Sequence, residues 1–243
     1  MKRFQDKLAI ITGAGRGLGA QFAQDLAREG ARVAIWDRQA DNLEKVARSI
    51  EAEGGQVLPS ATDITDYSQI EKTVSEIMRQ FGQVDILINN AAFHKSQPVL
   101  ETSLEDWKRQ IDTNLNGTFY CIKAVLPHML RRRYGKILNI ASAAGKVYFP
   151  GFGAYAASKA GIVSLSSVLS EEVKYQNINV NSIYLGMTNT EHTRERLNRD
   201  PAITISLEEM MQPSEVSKVV LFLVSDEAAP IKGAAVDVFG NRY

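Results

Sequence analysis

Leu8-Ala9-Ile10-Ile11-Thr12-Gly13-Ala14-Gly15-Arg16-Gly17-Leu18-Gly19 is the stretch from which the rest of the chain can be read. A short apolar run ends in glycines, and a helical pattern opens at Gly17 and continues to residue 29, where Gly30 stops it. An apolar run of this length suits a strand covered on both faces. Glycines let a backbone turn sharply and approach a phosphate closely. A helix start adds free N–H groups and the positive end of its dipole. A glycine-rich loop alone is weak evidence, because an ordinary turn reads the same way. Set between an apolar strand and a helix, it points to a dinucleotide, with Gly13, Arg16, Gly17, Leu18 and Gly19 as candidate contacts.

The same alternation repeats outward along the chain. Further strands are expected at 32–37, 56–62, 85–91, 136–142, 179–186 and 235–239. Helices are expected at 40–53, 66–81, 103–132, 153–175 and 213–224, with Pro127 kinking the long one or beginning its end. Residues 190–212, charged at first and then Met-rich, break the rhythm and read as an inserted lid. The pattern predicts one α/β domain over residues 1–243. Its fold is a doubly wound, Rossmann-type parallel sheet of about seven strands with helices on both faces. Ligands of such sheets bind at the carboxyl ends of the strands.

Composition narrows the function. The 44% hydrophobic and 23% charged shares are ordinary for a globular protein, and 28 basic residues balance 28 acidic ones. Zero formal charge gives no electrostatic case for nucleic acid or an anionic membrane. The one dense basic run, Arg131-Arg132-Arg133, reads as the solvated end of a helix. Cys121 is the only cysteine, which excludes an internal disulfide and a Cys-based zinc site and suits a reducing cytoplasm. No metal site is expected. No apolar stretch approaches about 18 residues, so no membrane span is expected, and the first residues carry no export signal.

Asp37 ends the second strand, about 20 residues beyond the glycines, where a carboxylate can accept from ribose hydroxyls. The same charge would repel a 2′-phosphate, which favours NAD. Arg16 and Arg38 favour NADP instead, since a guanidinium can hold that phosphate. NAD is the preferred cofactor and NADP the alternative. Asp63, with Ile64 beside it, and Asn90 and Ala91 after the fourth strand complete the expected cofactor rim.

Tyr155 and Lys159 are four residues apart on an expected helix and so share a face. A lysine ammonium beside a phenol favours the phenolate, which brings a proton-exchanging group toward working pH. Spacing alone proves little. With 8 Tyr and 13 Lys in 243 residues, about 0.4 such pairs arise by chance. Position decides it: Ser142 ends the fifth strand and Tyr155 begins the next helix.

At this point the chain resembles the short-chain dehydrogenase/reductase family over its whole length. The residues that carry the resemblance are the Thr12–Gly19 loop (Gly13, Gly17, Gly19), Asn89-Asn90-Ala91, Asn114, Ser142, Tyr155 and Lys159, all in family order. The resemblance implies an NAD(P)-dependent oxidoreductase that interconverts a secondary alcohol and a ketone by hydride transfer. It implies that Tyr155 is the general acid and base and that Ser142 hydrogen-bonds the reacting oxygen. Lys159 would hold the nicotinamide ribose, and Asn114 would position a water in a relay to Lys159. Thr188 and Thr190 would bind the carboxamide and phosphates. A small-molecule substrate and a homotetramer packed through the helices near 103–132 and 153–175 are implied as well.

Three positions depart from the family pattern. Ala92 stands where glycine is common, Leu185 where proline is usual, and Phe239-Gly240-Asn241 where Asp-Gly-Gly is frequent. Without the proline, the loop at Gly186 is expected to be less rigid. The substrate pocket is expected from Phe93, His94, residues 143–149, Met187 and the lid. Its candidate polar contacts are His94, Lys146, Tyr148 and His192, and Met210 and Met211 would form an adaptable apolar wall. Acyl-thioester, sugar or polyol, and steroid substrates all fit. Two other functions fit less well: a dehydratase or epimerase that retains its cofactor, and a cofactor-sensing or scaffold protein without turnover.

Overall fold

Every residue of β1 (Leu8–Thr12) is buried, and its side chains alternate between two cores. The computed structural model describes residues 2–199 and 206–240. Ala9 and Ile11 join Phe22 and Leu26 of α1 (Gly17–Arg28), Leu43 of α2 (Ala40–Ala52) and Val220 of α8 (Pro213–Leu223). Leu8 and Ile10 point the other way. They meet Ile70 of α3 (Tyr67–Phe81), Val125 of α5 (Gly117–Arg132) and Leu169 of α6 (Gly153–Glu172). Burial on both faces is why the strand reads as an unbroken apolar run.

The other strands are β2 (Arg32–Asp37), β3 (Gln56–Ala61), β4 (Ile86–Asn89), β5 (Gly135–Ile140), β6 (Ile178–Leu185) and β7 (Ala235–Val238). All pair in parallel, in the order β3-β2-β1-β4-β5-β6-β7. Strand order reverses between β1 and β4, and a crevice forms at such a switch point. Pro59, which cannot donate to a ladder, falls in the edge strand β3.

The structure sharpens several of these expectations. The expected helix over 103–132 is helical throughout from Leu104 to Arg132, as α4 (Leu104–Ile111), a π turn at Asp112–Asn116 and α5. Pro127 lies inside α5, which continues to Arg132, and the irregular turn falls around Asn114. Arg131, Arg132 and Arg133 are exposed at the end of α5, and Arg132 also pairs at 2.7 Å with the buried carboxylate of Asp85, which accepts from the Leu8 N–H at 2.8 Å. Leu185 belongs to β6, paired with Val238, and the ladder continues through Gly186 to the Val238 carbonyl at 2.8 Å. That segment continues the strand expected over 179–186. Met210 and Met211 are buried, and Met211 packs in the core with Val216 and Val238.

Within the expected lid, the structure places α7 (Glu191–Arg199) and a short turn at Leu207–Glu209. Residues 200–205 of the lid and Asn241 lie outside the described residues. No helix among the described residues is long and apolar enough to cross a membrane.

Candidate active site

A cleft of about 560 Å³ opens where β1, β2 and β4 end. The glycines shape its floor. Gly13 and Gly17 take φ of +63° and +57°, a region L side chains avoid. A Cβ on Gly19 would lie 2.3 Å from the Gly13 carbonyl oxygen, so only glycine allows α1 to start this close to the loop. Arg16, which precedes α1, gives it no side-chain cap, and the first turn holds no acidic residue. Gly17 and Leu18 line the cleft, so the uncompensated positive end of α1 is turned toward it. A Cβ on Gly17 would meet only Thr190, at 3.8 Å. This cradle fits a dinucleotide pyrophosphate.

Thr12 ties the loop to β4, a role its sequence position did not reveal. Its buried hydroxyl accepts from the backbone N–H groups of Asn90 and Ala91, each at 3.0 Å. The Asn90 amide donates back to the carbonyls of Thr12 and Gly13, at 3.0 and 3.1 Å. Asn90 therefore holds the loop's shape as well as lining the cleft.

Asp37, Asp63, Ile64, Ala91 and Thr190 also line the cleft. Asp37 accepts from the N–H of Gly15 at 3.2 Å and of Gln39 at 3.1 Å. Both arginines that could serve a 2′-phosphate are engaged by carboxylates: Arg16 by Glu195 at 3.5 Å and Arg38 by Asp63 at 3.8 Å. Thr188 is buried, with its hydroxyl 3.3 Å from the Gly186 carbonyl.

The Tyr155–Lys159 pair stands beside the cleft, next to the lining residue His94. Tyr155 and Lys159 lie on α6, with the Lys159 nitrogen 5.6 Å from the Tyr155 ring centre. Lys159 is 2% exposed and donates to the Ile140 carbonyl at 2.7 Å. Burial pushes its pKa down from 10.5 to about 7, so amine and ammonium coexist near neutrality. Ser142 lies two residues beyond the end of β5, and its hydroxyl accepts from the Ala144 N–H at 3.2 Å.

Asn114 sits in the π turn, fully buried. Its amide accepts from the Phe93 N–H at 2.7 Å and donates to the Phe93 carbonyl at 2.9 Å and the Ser158 hydroxyl at 3.0 Å. Ser158 in turn donates to the Tyr155 carbonyl at 2.7 Å. Asn114 thus joins the β4 loop to the helix that carries Tyr155 and Lys159. The pattern of residues gave no hint of Ser158 as the link, since its partners lie 44 positions away and in the backbone.

Of the four candidate polar substrate contacts, His94 packs edge-on against Tyr155, with ring centres 4.5 Å apart, and lines the cleft. His192 lines the cleft on the α7 side. Lys146 is held by Asp237 at 2.7 Å, and Tyr148 is 89% exposed.

A family model described as short chain dehydrogenase matches residues 7–201. The chain is 33% identical over 242 residues to the 3-oxoacyl-[acyl-carrier-protein] reductase of Thermotoga maritima, covering 98% of each. Its fold is similar to that of NAD+-bound xylitol dehydrogenase, with a TM-score of 0.93 and 29% identity, covering 99% of this chain and 100% of the other. It is also similar to actinorhodin polyketide ketoreductase with NADPH, with a TM-score of 0.91 and 30% identity over 96% of each chain.

Proposed function

The chain belongs to the short-chain dehydrogenase/reductase family, and from that premise we propose that Tyr155 transfers the proton while Lys159, Ser142 and Asn114 support it. The protein is an NAD(P)-dependent oxidoreductase that interconverts a secondary alcohol and a ketone. The observation that carries the residue assignment is the buried Lys159 nitrogen beneath the Tyr155 ring, beside the cleft.

The bound nicotinamide supplies the hydride chemistry. In reduction, Tyr155 gives its hydroxyl proton to the carbonyl oxygen; in oxidation it takes that proton from the alcohol. The Ser142 hydroxyl donates to the same oxygen and steadies its developing charge. Lys159, with a pKa near 7, can both hold and release a proton, which suits it to refill the phenol. Asn114 is a positioning residue that fixes Phe93 and, through Ser158, α6. The water relay that the family implies would start from this joint.

NAD is the favoured cofactor. Asp37 lines the cleft, and the two nearby arginines are already paired with carboxylates. A homotetramer is also proposed, supported by the exposed apolar side chains Leu104, Trp107, Phe119 and Val168 on α4, α5 and α6. A single buried thiol, Cys121, suits the reducing cytoplasm we assign as its setting. Following NADH and NADPH absorbance with a panel of ketones tests the activity. Cofactor binding without turnover across a broad panel would favour the sensor function instead.

A further inference from the structure

We propose that Lys146 and Asp237 form a positioning pair that holds the Ser142 turn against α6, so that the Ser142 hydroxyl meets the reacting oxygen. Both side chains act through Ser142 and not on the substrate itself. This rests on the assignment of Ser142 to the reacting oxygen.

The chain from Ser142 to Val147 is one closely bonded turn. The Ser142 hydroxyl accepts from the Ala144 N–H at 3.2 Å, and the Ser142 carbonyl accepts from the Gly145 N–H at 2.9 Å. The Ala143 carbonyl accepts from the N–H groups of Lys146 and Val147, at 2.9 and 2.7 Å. Lys146 and Ser142 thus belong to one unit, and a displacement of one carries the other.

Two surfaces grip this turn. On one side Gly145 packs against α6, where a Cβ would lie 3.0 Å from the Lys159 carbonyl carbon and from the Ala160 nitrogen. The turn therefore meets the helix at the backbone of the lysine that serves Tyr155. On the other side the Lys146 ammonium donates to both carboxylate oxygens of Asp237, at 2.9 and 2.7 Å. It also lies 5.3 Å from the centre of the Tyr184 ring. Tyr184 and Asp237 are register partners across β6 and β7, so adjacent strands offer the ammonium a ring and a carboxylate side by side.

The two side chains of the pair are 48% and 43% exposed, and an ion pair in that setting contributes little to stability. Its geometry serves placement better, because two hydrogen bonds and a ring fix the direction of the lysine. β7 is the last strand of the sheet, so the pair anchors the Ser142 turn on the sheet's edge. A small displacement of a group that meets developing charge slows the reaction more than it weakens binding.

The test uses the ketone of the panel that wild type reduces fastest, at saturating cofactor, and reads the single-turnover rate, KM and the melting temperature. Lys146→Met and Asp237→Asn should each slow reduction about three- to fivefold, with KM and the NADH dissociation constant close to wild type. The double variant should be no slower than either single one, because both remove the same contact. Lys146→Arg keeps a cation for Asp237 and should recover most of the rate. Wild-type rates in both single variants overturn the proposal, even if the melting temperature falls. Additive losses in the double variant overturn it too, as does a change confined to KM, which would make Lys146 a substrate contact. Ser142→Ala separates the two assignments: its rate should fall about a hundredfold. A wild-type rate in Ser142→Ala removes the Ser142 assignment and this proposal together, whereas a slow Ser142→Ala beside unimpaired Lys146→Met and Asp237→Asn removes this proposal alone. A wild type that binds NADH yet reduces no ketone removes both.

Discussion

Lys159 carries its amino nitrogen to the Ile140 carbonyl at 2.7 Å, and the same nitrogen lies 5.6 Å from the ring centre of Tyr155. One contact fixes the lysine to the end of β5, two residues before Ser142. The other sets it under the phenol on its own helix. A charge this deeply buried is costly, and the chain lowers the cost by letting the proton leave near neutrality.

That burial has a consequence for stability against pH. Folding lowers the Lys159 pKa from 10.5 to about 7. Between those values the unfolded chain binds a proton that the folded chain does not, so stability rises with pH. The slope from this one group approaches about 1.4 kcal/mol per pH unit within the window. Lys159→Met should lack it. Urea midpoints at pH 7 and pH 9.5 check this, and parallel changes in both proteins would contradict it.

Asn114→Ala should strip the backbone N–H and carbonyl of Phe93 of their partners at once. Each buried orphan costs about 1–3 kcal/mol, so a loss of roughly 2–5 kcal/mol is expected in denaturant unfolding. Turnover should fall as well, because α6 loses its tie through Ser158. A variant of unchanged stability would refute the positioning role.

Gly19→Ala places a methyl 2.3 Å from the Gly13 carbonyl oxygen and 2.7 Å from the Asn90 amide. Neither neighbour can retreat without breaking the loop. Destabilisation of about 1–3 kcal/mol and weakened NADH binding should appear together. Calorimetry and fluorescence titration of NADH read the two effects.

Cofactor choice should depend on two carboxylates. Asp37→Ala should weaken NADH more than NADPH. Glu195→Gln should release Arg16 toward a 2′-phosphate and tighten NADPH. Both members of that pair are substantially exposed, at 47% and 41%, so the gain should stay within about fivefold. Tighter NADH binding in Asp37→Ala would reverse the assignment.

Much of the scaffold was legible in the residues because it depends on local pattern. The apolar strands, the glycine loop at Gly13–Gly19 and the order Ser142, Tyr155, Lys159 each show in a short window. The tie from Asn114 to Phe93 did not, because it joins residues 21 positions apart. Likewise the pairing of Arg132 with the buried Asp85 joins residues 47 positions apart. Lys146 and His94 look equally eligible as substrate contacts in sequence. Asp237 claims one and the Tyr155 ring the other, and both partnerships are made by tertiary packing.

The most direct test of the central claim is Tyr155→Phe, which removes one hydroxyl and keeps the ring against His94 and Phe152. NADH binding and ketone reduction are measured side by side in wild type and variant. Tyr155 as proton donor predicts that turnover is lost, by a factor of at least about a hundred, while the NADH dissociation constant changes little. A variant that reduces ketones at the wild-type rate would show that the proton comes from elsewhere.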